Sequence, residues 1–71
     1  MYIIQEIQTN DGVSALTPAV TKDDKNQALS AFFTACASAC ISSVEVHTVI
    51  MYDEHGQIKR SEYFEHPKEQ A

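Results

Sequence analysis

The chain reads as an α+β domain: a four-stranded antiparallel sheet in ββαββ order, with one helix packed on one face. Three observations predict this. Residues 1–20 and 44–65 are rich in β-branched and aromatic side chains, and each stretch is split by a turn that ends in Gly, at Gly12 and Gly56. Between them, residues 22–41 contain neither Gly nor Pro and place apolar side chains at helical spacing. With 71 residues in all, the chain has room for one small domain, expected over 1–66, with a polar tail at 67–71.

The first strand is expected over residues 1–9, where Tyr2, Ile3, Ile4 and Ile7 are the β-formers. Thr9-Asn10-Asp11-Gly12 follows as a turn. Gly12 suits the left-handed position of a type I turn with a bulge. Residues 13–20 return as a second strand. Pro18 has no N–H to give to a ladder, so that strand belongs at a sheet edge.

The helix is expected over 22–41. Thr21 is a suitable N-cap, with Asp23 and Asp24 favouring the positive end of the helix dipole. Ala28, Ala31, Phe32, Ala35, Cys36 and Ala39 fall on one side, flanked by Leu29, Phe33 and Cys40. Together they span an arc of about 200°, wider than the stripe of an ordinary surface helix. A single sheet covers only part of such an arc, and small Ala side chains let a second backbone approach closely. Ala28, Ala31, Ala35 and Ala39 are therefore candidates for a subunit interface.

A strand over 44–53, the turn Asp53-Glu54-His55-Gly56 and a strand over 57–65 complete the sheet, with Pro67 as a stop. If Asp53 faces Gln57, then Tyr52 pairs with Ile58, Ile50 with Arg60, Thr48 with Glu62 and Val46 with Phe64. That register turns Val44, Val46, Ile50 and Phe64 toward the helix. It leaves Val49, Met51 and Tyr63 on the far face, where Val49 and Met51 join the candidate interface. It also sets His47 beside Tyr63.

Composition narrows the function. The chain is 44% hydrophobic and 21% charged, as a folded protein is. Its 10 acidic against 5 basic residues, a net charge of −5, argue against gripping nucleic acid through phosphates and against docking on an anionic membrane. The acids are dispersed rather than gathered in a stripe that would mimic nucleic acid. The opening residues have neither the basic nor the long apolar region of a signal peptide, so the cytoplasm is the expected location. Cys36 and Cys40 read as free thiols, and His47, His55 and His66 follow no metal-ligand spacing, so no metal and no cofactor is expected. Eight of the apolar residues are Ala, leaving a thin core that a partner subunit would supplement.

No catalytic motif is present; a small enzyme would have to use His47 or Cys36, and the chain is expected to be non-enzymatic. Tyr2, Tyr52, Tyr63, His47, Lys59 and Arg60 are the candidate ligand-binding residues. In pockets expected between subunits, they supply aromatic faces and donors for a phosphorylated or carboxylated small molecule.

The opening run from Tyr2 to Thr9, the early Asp11-Gly12, the Ala-rich helix, Val44-Glu45-Val46-His47 and the late Asp53-Glu54-His55-Gly56 resemble small uncharacterised proteins encoded by phages and prophages of Gram-positive gut bacteria. The resemblance spans most of the chain and implies a viral accessory protein in the host bacterial cytoplasm. The expected function is therefore a homo-oligomeric, dimeric or higher, binding protein that counters host defence by sequestering a small nucleotide signal. The alternative is a protein–protein interaction module, either an inhibitor of a host protein or a minor virion or assembly component.

Overall fold

The computed structural model describes residues 1–66; the tail expected at 67–71 lies outside the described residues. The elements run β1 (Tyr2–Asn10), β2 (Val13–Leu16), β3 (Val20–Lys22), α1 (Lys25–Cys40), β4 (Val46–Asp53) and β5 (Ile58–Glu65). All pairings are antiparallel, and β1 is flanked by β4 on one side and by β2 and β3 on the other. β5 closes the far edge against β4. The fold is thus α+β with one helix, and the sheet has five strands rather than four.

The fifth strand arises where the expected 13–20 strand breaks. Pro18 interrupts the ladder, as its sequence signal implies, and the chain sits on the sheet edge. Thr17 bridges the interruption. Its N–H donates to the Glu6 carbonyl at 2.9 Å, and its Oγ1 accepts from the Glu6 N–H at 3.0 Å. The preceding turn is tighter than expected. Asn10 pairs with Val13, leaving a two-residue connection in which Asp11 (φ 53°) and Gly12 (φ 78°) are both left-handed. This is the primed hairpin turn that Asp-Gly favours, not a type I turn with a bulge.

The helix starts three residues later than expected, because Asp24 and not Thr21 is its N-cap. The Asp24 carboxylate accepts from the Gln27 N–H at 2.9 Å, satisfying one of the free amides of the first turn. Thr21 instead belongs to β3, opposite Ile3 on β1.

The core lies between α1 and one face of the sheet: Ala28, Phe32, Cys36 and Ala39 from the helix, and Ile4, Val49 and Met51 from the strands. The expected face of β4 is therefore reversed. Val49 (0% exposed) and Met51 (2%) are inside, while Val46 and Ile50 lie on the open side. The cause is one residue. Tyr52 pairs with Ile58 as expected, but Met51 pairs with Arg60, so Lys59 has no partner across the ladder and forms a β-bulge. Beyond it every pair is shifted: Ile50 faces Ser61, Val49 faces Glu62, Thr48 faces Tyr63 and His47 faces Phe64. The bulge lets Phe64 point to the helix, as expected, while reversing the strand beside it.

Candidate anion-binding site

One cleft, of about 310 Å³, opens where the start of the helix meets the bulge. It is lined by Tyr2, Lys25, Leu29, Met51, Lys59 and Arg60. Each has a local reason to be there. Lys25 is the first residue after the Asp24 cap, and Leu29, one turn on, shares its face of α1. Tyr2 opens β1 on the helix side of the sheet, across from Asp53. Met51 forms the buried floor. The bulge puts Lys59 and Arg60, consecutive in sequence, into the same opening, which a regular strand with its alternating faces would not do.

Three of the chain's five Lys and Arg residues therefore converge on one cleft of an acidic protein. The nearby carboxylates are largely engaged. Lys59 Nζ lies 3.4 Å from Asp53 Oδ2. The Asp53 carboxyl is held below its ordinary value, mainly by the Gln57 N–H, with help from the His55 N–H and Lys59. Glu54 accepts from the Met1 amino group at 2.8 Å, which holds its carboxyl low and the amine high. The Arg60 guanidinium lies 5.4 Å from the Phe33 ring centroid, a cation–π placement that fixes it while leaving its hydrogen-bond donors uncommitted to a carboxylate. Cationic donors surround an apolar floor of Leu29 and Met51 with the Tyr2 ring beside it. Such a site can hold an anionic group at its rim and a flat apolar body within.

Of the expected ligand-binding residues, the structure brings together Tyr2, Lys59 and Arg60. Tyr52 and Tyr63 are on the opposite face of the sheet, where Tyr52 donates to Gln5 Oε1 at 3.0 Å and Tyr63 to Glu65 Oε2 at 2.7 Å. His47 is buried under the helix, so the expected His47–Tyr63 pair does not form: the shifted register puts the two on opposite faces. Lys25, Leu29 and Met51 were not among the expected ligand residues. The spacing of Lys25 and Leu29 by one helical turn was the available signal.

The expected oligomer interface also moves. Ala28, Ala39, Val49 and Met51 are enclosed by the chain's own helix and sheet. Ala31 and Ala35 line a groove whose other wall includes Pro18 and Val20 of the chain's own edge segment.

His47 heads a second polar cluster. Its Nδ1 is hydrogen-bonded to Glu6 Oε1, and among the described residues its buried Nε2 has no hydrogen-bond partner. The His66 ring lies 6.0 Å away, edge to face, and is tied to the Ala39 carbonyl at 2.7 Å. Burial pushes the neighbouring Cys36 thiol up, reinforced by Glu62, Cys40 and Glu6. That is opposite to the activation a nucleophilic cysteine needs. Among the described residues no three His, Cys, Asp or Glu side chains are placed to hold a metal ion, and no helix is long and apolar enough to cross a membrane. No family model matches the chain, no curated protein matches it, and no solved structure matches it.

Proposed function

We propose that the chain is a non-enzymatic binding protein whose cleft between α1 and the β5 bulge captures a small phosphorylated molecule of the nucleotide class. The observation that carries this reading is the convergence of Lys25, Lys59 and Arg60 on one cleft in a chain of net charge −5. A phosphate meets several donors there, and Tyr2, Leu29 and Met51 offer a surface for a base. The cleft lies at the small end of ligand pockets, which suits a mononucleotide better than a polymer. The resemblance to phage proteins supplies the setting: an accessory protein in the host bacterial cytoplasm that lowers the free concentration of a nucleotide signal.

Calorimetric titration with nucleoside monophosphates, cyclic mononucleotides and inorganic phosphate tests this. Binding is expected, and the double substitution Lys59→Ala, Arg60→Ala should abolish it. Binding that survives the double substitution overturns the placement. Absence of binding at about 1 mM of every probe, an affinity barely worth 4 kcal/mol, overturns the ligand reading. The second reading, a protein–protein module, is favoured by the open face of the sheet. There Leu16, Ile58 and Tyr63 are well exposed.

A further inference from the structure

Among the described residues, the face of the sheet away from α1 has no cover. Register and strand alternation place Ile3 and Ile7 of β1 and Ile50 of β4 along its middle. Leu16 (66% exposed), Ile58 (66%) and Tyr63 (59%) extend it toward both edges. The core on the other side already uses Ile4, Val49 and Met51, so the strands are apolar in both parities.

We propose that this face is the interface of a homodimer, in which two copies pack sheet against sheet with their helices outermost. Three observations select a second copy as the occupant.

The first is charge. By register, the open face carries no Lys or Arg on any strand, and its one carboxylate, Glu65, accepts from Tyr63 Oη at 2.7 Å. With a net charge of −5, two copies repel each other over most approaches. On this face the one charged strand side chain of each copy is Glu65, so the repulsion between the two surfaces is small. The same lack of charge offers nothing to a strongly acidic or basic partner.

The second is area. β1, β4 and β5 are 8 to 9 residues long, and β2 and β3 together form a fourth row. At about 3.3 Å per residue and about 4.8 Å per row, the face covers roughly 500 Å². Two such faces bury about 1,000 Å², the lower bound of a specific interface. That area suits a reversible dimer rather than an obligate one.

The third is shape. Twisted sheets stack in this way about 10 Å apart with their strands nearly aligned, interleaving inward side chains as a β-sandwich does. The clefts lined by Lys25, Lys59 and Arg60 stay on the outer surfaces, so the interface is independent of ligand capture.

Sedimentation equilibrium of the full chain from about 5 to about 500 µM, a range bracketing a micromolar association, tests the proposal. A concentration-dependent shift from 7.9 kDa to twice that mass is expected. Leu16→Lys and Tyr63→Lys, both at exposed positions that leave folding intact by circular dichroism, should each weaken the dimer at least tenfold. Ile41→Lys, which changes an 88% exposed apolar residue beyond the helix, should leave it unchanged. Raising salt should strengthen association by screening the net charge. A monomer throughout the range overturns the proposal. So does a dimer that ignores Leu16→Lys and Tyr63→Lys, which would place the contact elsewhere.

Discussion

The two faces of this sheet both carry large aliphatic side chains and have opposite fates. On the helix side, Ile4, Val49 and Met51 lie under Phe32 and are almost fully enclosed. On the other side, Ile3, Ile7 and Ile50 have comparable side chains and, among the described residues, no layer above them. The less apolar set is the covered one: it includes the Glu6–His47 pair, and the open set holds more isoleucine. Hydrophobicity alone does not decide which face folds inward. The helix does so by supplying a matching surface, and the bulge at Lys59 does so by setting which parity of β5 accompanies which parity of β4.

The largest expected contrast comes from emptying one face and trimming the other. Phe32→Ala removes the largest fully buried side chain, at a cost of about 3–5 kcal/mol. In a domain this size that approaches the whole stability, so urea melts at low protein concentration should lose their cooperative transition. Leu16→Ala on the open face should shift the same melt by less than about 0.5 kcal/mol. Equal effects would mean that the open face is buried even in the monomer.

The helix start offers a smaller test. Asp24→Ala should cost about 1 kcal/mol by removing the acceptor for the Gln27 N–H. Thr21→Ala, in β3, should change stability by under about 0.5 kcal/mol. The reverse order in thermal melts would return the cap to Thr21 and lengthen the helix.

The smallest effect is acid sensitivity at the turn beside the cleft. Asp53 and Glu54 both have carboxyls held below their ordinary values, Asp53 mainly by the Gln57 N–H and Glu54 by the Met1 amine. A carboxyl depressed in the folded state adds stability that is present above its unfolded value. That stability is lost as pH falls through the lower, folded value. The melting temperature should therefore decline on the acid side of the usual carboxylate range. In the Asp53→Asn, Glu54→Gln double variant the decline should be shallower. An unchanged slope would mean that carboxylates elsewhere govern the acid limb.

Much of this architecture was legible. Asp11-Gly12 marked the first hairpin, Pro18 marked an edge, and the Gly- and Pro-free stretch marked the helix with Ala28, Phe32, Cys36 and Ala39 inside. The facing of β4 was not legible, for a physical reason. Val46, Ile50 and Tyr52 compete with Val49 and Met51, and a buried His47 counts as polar unless its partner Glu6, 41 residues away, is known. A bulge leaves no mark in the period-two pattern, since Lys59 looks like any exposed strand residue. The site was half legible for the same reason. Tyr2, Lys59 and Arg60 stood out by type, whereas grouping them with Lys25 depends on the bulge and on where the helix begins.

The sheet's borders matter as much as its faces. One is broken at Thr17-Pro18-Ala19, and the other, β5, carries Lys59, Arg60, Glu62 and Glu65 together with the bulge. Interruption and charge are the features that keep an edge strand from recruiting another chain and extending into fibrils. Borders of this kind disfavour sideways growth of the sheet. In the proposed dimer one direction of growth remains, face to face, and that direction is complete at two.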